Sequence, residues 1–175
     1  MADRLADYRP DRSGVSAAVE RIVTWWALLG GAMLAVVVLM NVVSVLGAVV
    51  WKPVPGDFEL TEIGVAIAAF MFLPYCQVSG ANVTADIFTA RAGRHLLALF
   101  ALLASLVALG FSLLLLWRME AGLVDQKTYG YVTAILQVPI WAAFVPILAS
   151  LALLAVSAAV TLTEALRGLT GGARK

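Results

Sequence analysis

The sequence predicts an all-α integral membrane fold: four transmembrane helices, both ends on the same side, and interfacial amphipathic segments. Three observations carry this expectation. Hydrophobic residues make up 62% of the 175 positions and charged residues only 13%, against about 25% charged in an ordinary soluble domain. Stretches free of Asp, Glu, Lys and Arg run from Ile22 to Trp51, Ile63 to Ala85, His95 to Trp117 and Thr128 to Thr163. Crossing about 30 Å of hydrocarbon takes roughly 20 apolar residues, so each stretch suffices for one helix. The third observation is the placing of the cations. Arg4, Arg9, Arg12, Arg21, Arg91, Arg94, Arg167, Arg174 and Lys175 fall at one side of such a plan, and only Lys52, Arg118 and Lys127 at the other. Short segments rich in Lys and Arg stay in the cytoplasm. Both termini and the 80–95 connection are therefore expected there, in a single membrane domain over 13–166 between a disordered tail, 1–12, and a second tail, 167–175.

The first span is expected near 23–50. Val15, Ala18, Val19, Ile22 and Trp26 fall at helical spacing, which predicts a short amphipathic segment over about 13–22 leading into it. A charged head precedes this apolar run, which is about twice as long as a signal-peptide core, so it is read as a retained helix. Trp25 and Trp26 suit one aromatic belt and Trp51 the other. Ala27, Gly31 and Ala35 lie four apart, a small-residue stripe of the kind that lets helix backbones approach in lipid. Asn41 and Ser44 lie deeper than water reaches and call for partners on a neighbouring helix.

WKPVPGD, residues 51–57, reads as a tight turn, and the second span follows near 58–80. Its start carries Asp57, Glu59 and Glu62. Such acids serve a proton path, a docking site or a helix end. Proton relays sit deep in the slab, where a charge costs roughly 2.5–3.5 kcal/mol on insertion scales. Acids in a first turn gain about 0.3–1 kcal/mol each from the helix dipole, and Asp is a favoured N-cap. Helix-start chemistry is the reading adopted. Gly64 and Ala68 form a second small-residue stripe, and Pro74 is expected to kink the helix. Cys76 is the single cysteine, which excludes an internal disulfide and suits packing.

After Gly80, the segment near 82–94 mixes Val83, Ile87, Phe88 and Ala90 with Asp86, Arg91 and Arg94, and reads as surface-lying. The third span, near 95–117, is almost all leucine and alanine, so it is expected to face lipid most. Arg118, Glu120, Asp125 and Lys127 open an outer loop with a short surface helix over about 121–136. Pro139 is expected to open the fourth span, near 139–164, where a first-turn proline is tolerated; Ser150, Ser157 and Thr161 give it a mild polar stripe.

Catalytic chemistry is not expected. His95 has no Cys, His or acid at ligand spacing, and a metal or haem needs several ligands. No nucleophile triad, phosphate loop or buried carboxylate pair is present in the pattern. No cofactor or metal is expected, and bound phospholipid is the natural companion. A net charge of +1 without a basic patch excludes a nucleic-acid partner. The internal repeats of complete secondary transporters are also missing from the sequence.

The order of these features resembles the small, DctQ-like membrane subunit of tripartite ATP-independent periplasmic (TRAP) transporters. The resemblance covers about residues 15–165. It rests on the four-helix plan, on the acid-led second helix at Phe58-Glu59-Leu60, on the Asp86 segment and on LQVPIWAAFVP, residues 136–146, a Pro-aromatic helix opening. Where the family often has a Gly-rich basic stretch with a His, this chain has QVSGANVTAD, echoing it only at Gly80, Asn82 and Asp86.

The resemblance implies a bacterial inner-membrane scaffold. Its partner is a large elevator-type permease subunit that carries the substrate and sodium sites. A periplasmic binding protein delivers organic anions, carboxylates or sugar acids, to the pair. On this reading Gly31, Ala35, Asn41, Gly64 and Ala68 pack helices or meet the large subunit, and Lys52, Asp57, Arg118, Asp125 and Lys127 meet the binding protein. Two rivals stay open from the residues alone. One is an autonomous homodimeric ion-coupled transporter using Glu59 or Glu62; the other is a membrane assembly or sensor protein without a transport role.

Overall fold

The computed structural model describes residues 14–80 and 94–171, with the side chains of 94–98 and 168–171 left aside. The 1–12 tail, most of the 82–94 segment with its Asp86, and the last residues of the 167–175 tail lie outside the described residues, as does the side chain of His95. The described residues form four helices: α1 (Val15–Val50), α2 (Asp57–Ser79), α3 (Arg94–Tyr129) and α4 (Trp141–Gly171). Each contains a stretch long and apolar enough to cross a membrane. The described residues contain no strand, only an isolated antiparallel bridge between Val132 and Pro139.

The helices pack as a row rather than a closed ring. α4 lies between α2 and α3, and α1 packs chiefly against α2. Ile147, Leu151 and Leu154 of α4 form the centre, flanked by Ile67 and Phe70 of α2 and by Leu115, Leu116 and Met119 of α3. The two edge helices bury least, and α1 buries less than α3. Leucine content pointed to α3 as the most lipid-facing helix, but position at the edge of the row decides exposure, and α1 holds an edge while meeting little besides α2.

The α1–α2 seam has the spacing of a coiled coil. Its buried α1 positions are Val23, Ala27, Gly30, Val37 and Ser44, which advance in steps of about three and four residues, as a left-handed helix pair requires. Facing them on α2 are the buried Gly64, Ala68 and Met71. A methyl group on Gly64 would lie 2.5 Å from Val37 Cγ2, and one on Gly30 would lie 2.9 Å from Met71 Cβ. The backbones thus approach until only hydrogen fits. Gly31 and Ala35, expected to pack between helices of this chain or against the large subunit, are not part of this seam: a methyl on Gly31 would meet only Phe72 Cε1 at 4.0 Å, and Ala35 is exposed. The four-residue stripe drifts off the contact, while the alternation of three and four stays on it.

Helix ends also depart from the expected boundaries. Residues 15–22 continue into α1 as one helix. α3 runs to Tyr129 instead of ending near 117, so no separate surface helix occupies 121–136. Residues 118–128 are mostly good helix formers and pack on α4, with Phe144 Cε1 3.0 Å from where a methyl on Gly122 would sit. The helix stops at Gly130, whose φ is +61°, a left-handed stop that glycine adopts freely. Charge marks where hydrocarbon ends, not where a helix does. Pro139 precedes α4, which begins at Trp141 and holds Pro146 inside it.

Gly64→Ala is expected to cost about 1–3 kcal/mol through overpacking of the seam, while Gly31→Ala leaves stability unchanged. Unfolding midpoints of both variants in detergent micelles check this, and equal losses at the two positions contradict the seam. Asn41→Leu is expected to cost about 0.6 kcal/mol, the typical worth of an interhelical hydrogen bond in lipid, by the same measurement.

Candidate functional site

The end of the row that carries the 51–56 and 130–140 connections gathers most of the candidate residues. Here α1 meets α2 through polar groups. Asn41 Nδ2 donates to Thr61 Oγ1 at 2.7 Å and to its own helix at Val37 O, 2.9 Å. Ser44 Oγ donates to Asp57 Oδ2 and accepts from the Val54 N–H at 3.1 Å. One serine thus ties the acid and the preceding turn to α1. The turn itself folds tightly over Gly47, where a methyl would lie 2.5 Å from the Lys52 carbonyl oxygen.

The three acids prove to have three different surroundings. Asp57 is the first residue of α2, not its cap; Gly56, with φ +71°, occupies the capping position. The Asp57 carboxylate instead serves Ser44 and accepts from the Phe58 N–H at 2.8 Å. Glu59 reaches across to the α3–α4 connection, with Oε1 accepting from the Ile135 N–H at 2.7 Å and Oε2 from the Leu136 N–H at 3.1 Å. Glu62 is exposed.

The connection that Glu59 holds is a narrow hairpin. Thr133 N–H donates to Val138 O at 2.9 Å, Val138 N–H donates back to Thr133 Oγ1 at 3.1 Å, and Ile140 N–H donates to Tyr131 O at 3.0 Å. Gln137 takes a φ of +53° to close it. Leu136 lies against Gly56, where a methyl would come within 2.5 Å of Leu136 Cγ. The requirement for glycine at 56 is therefore double, in backbone angle and in space. No sequence signal paired Glu59 with residues about 76 positions away, although the PG dipeptide at 55–56 marks the turn.

Further along the slab, two more bonds cross between helices. Trp26 Nε1 donates to Ser150 Oγ at 2.9 Å, joining α1 to α4, and Gln77 Nε2 donates to Thr161 Oγ1 at 3.1 Å, joining α2 to α4. Ser157 of the same stripe is fully buried and bonds to its own helix at Leu153 O, 2.8 Å. Gln77, missed in the sequence reading, was recoverable as a polar residue inside a charge-free run. Lys52, Arg118, Asp125 and Lys127 are exposed, and Lys127 Nζ stands 5.6 Å from the Trp141 ring centroid, within cation–π range. Arg118 and Asp125 sit on the extended end of α3, not on a loop. The seam and the charged set occupy different surfaces, and only Asp57 of the charged set reaches the seam.

This arrangement can hold helices together and offer charged groups at one end. Residues 38–168 match the family described as tripartite ATP-independent periplasmic transporters, DctQ component. No curated protein and no solved structure matches the chain. The matched region begins within α1, takes in α2 and α3 whole, and ends near the close of α4, so it contains the polar ties at both the Asn41 and Thr161 ends. With four helices able to cross a membrane and a match over well more than half its length, this chain belongs to the DctQ component family of TRAP transporters, as a multi-pass membrane component of a transport system.

Proposed function

We propose that the chain is the stationary small subunit of a TRAP permease, with both termini in the cytoplasm, holding a large elevator-type subunit in register with the bilayer. The observation that carries this reading is the use made of the polar side chains within the spans. Asn41, Ser44, Thr61, Gln77, Ser150 and Thr161 are all engaged in bonds within this chain. A solute path needs polar or ionisable groups turned toward a cavity; here they turn toward one another and stiffen the row. The outward faces of α1 and α3 are apolar over long stretches, with Val36, Leu39, Val43 and Leu46 exposed on α1 and Leu103, Leu106, Val107 and Phe111 on α3. Such faces suit lipid and a large apolar partner.

The substrate and sodium sites then lie on the large subunit, and no cofactor is assigned to this chain. The substrates are organic anions, carboxylates or sugar acids, delivered by a periplasmic binding protein. Its docking charges here are Lys52, Arg118, Asp125 and Lys127, since Asp57 is occupied by Ser44. The Glu59 carboxylate serves the hairpin rather than a coupling ion, which disfavours the autonomous transporter.

Vesicles containing this chain alone are expected to take up none of a panel of labelled carboxylates and sugar acids. Uptake is expected only when the large subunit and the binding protein are added with a sodium gradient; flux through the lone chain sinks the scaffold reading. Lys127→Glu is expected to raise the binding-protein concentration for half-maximal uptake several-fold, most at low salt, because rim charges act mainly on association rate. A titration of binding protein at two salt concentrations checks this, and superimposable curves remove Lys127 from the docking surface.

A further inference from the structure

The tip of the α3–α4 hairpin is pinned to the first turn of α2 by Glu59 and by the Leu136–Gly56 contact. The length of the helix bounds the depth of that turn. α2 is the shortest of the four helices at 23 residues, about 34 Å at 1.5 Å per residue, and the hydrocarbon it crosses is about 30 Å thick. A helix of that length centred on the slab puts its first turn near the edge of the hydrocarbon, with the hairpin tip beside it.

The tip is chemically suited to that depth. Irregular backbone near hydrocarbon must have its polar groups satisfied from within the protein. Here the Ile135 and Leu136 N–H groups end on Glu59, and those of Thr133, Val138 and Ile140 end within the hairpin. No Asp, Glu, Lys or Arg occurs from Thr128 to Thr163. Ile135 turns outward, 62% exposed, and the same end of the row exposes Trp51, Phe58, Tyr129 and Tyr131, the composition of a headgroup-level aromatic belt.

We propose that the hairpin tip is a lipid-contacting wedge, with Ile135 seated at the boundary between headgroups and acyl chains and Glu59 as the positioning residue that holds it there. The wedge rests on the four spans and not on the transport role, so it stands or falls separately.

Spin labels report the depth directly. In the full-length chain carrying Cys76→Ala, a nitroxide is attached at Ile135→Cys, at Ala134→Cys or, as an aqueous reference, at Lys52→Cys. The protein is placed in vesicles of phosphatidylcholine and phosphatidylglycerol. Collision rates with oxygen, which concentrates in lipid, and with a water-soluble nickel chelate are read by power saturation. The oxygen-to-chelate ratio at Ile135 is expected to exceed that at Lys52 several-fold, with Ala134 between them. Adding Glu59→Ala is expected to drop the Ile135 ratio to the Lys52 value, and Glu59→Gln, which keeps one acceptor, to an intermediate one. A chelate-accessible Ile135 label, matching Lys52, overturns the wedge and assigns the tip to water or a protein partner. A ratio unmoved by Glu59→Ala, with the helical content preserved, overturns the role of Glu59.

Discussion

In hydrocarbon an apolar side chain gains nothing by leaving lipid for another helix, so association rests on close backbone approach and on polar bonds. α2 supplies both. Gly64 admits Val37 of α1 to a distance that no larger residue allows, and Thr61 and Asp57 bond to the same helix one and two turns nearer the end. On its other side Ile67 and Phe70 pack on α4, and Gln77 bonds to Thr161. Its first turn also holds the α3–α4 hairpin through Glu59. α1, α4 and the α3–α4 hairpin are all referred to this one short helix, while α3 packs on α4.

The lengths of the helices follow the same logic. α2 at 23 residues scarcely exceeds the thickness of the hydrocarbon, while α1 and α3 have 36 residues each and α4 has 31. The longer helices must tilt or extend beyond the slab, which costs fractions of a kcal/mol per Å of mismatch if they do neither. Extension of α3 carries Arg118, Asp125 and Lys127 along a rigid rod packed on α4. Charged groups on a helix are held in place more firmly than on a loop. Lys127 gains a further restraint from the Trp141 face.

A row of helices also differs from a bundle in what it leaves over. A closed bundle buries one stripe of every helix, whereas here α1 and α3 each have essentially one intramolecular neighbour. The apolar surface that remains is large on both edges. The polar residues within the spans bond to one another across the helices, and the outward faces of both edges are apolar.

The number of spans and their apolar cores were legible in the chain because hydrocarbon penalises charge wherever it occurs, whatever the neighbours. Asn41 and Ser44 could be singled out for the same reason, since a polar group so placed has to find a partner. The identity of those partners was not legible. Thr61 and Asp57 are reached only once α1 and α2 run antiparallel in one register, and that register is set by which glycine faces inward, Gly30 rather than Gly31. The continuation of α3 past Trp117 depended on the α4 surface beneath Gly122, and the bond from Glu59 to the Ile135 and Leu136 amides joins segments far apart in sequence. Burial in lipid is a cost each residue meets on its own, so sequence reveals it; contact is a property of pairs, and only the folded row determines which pairs form.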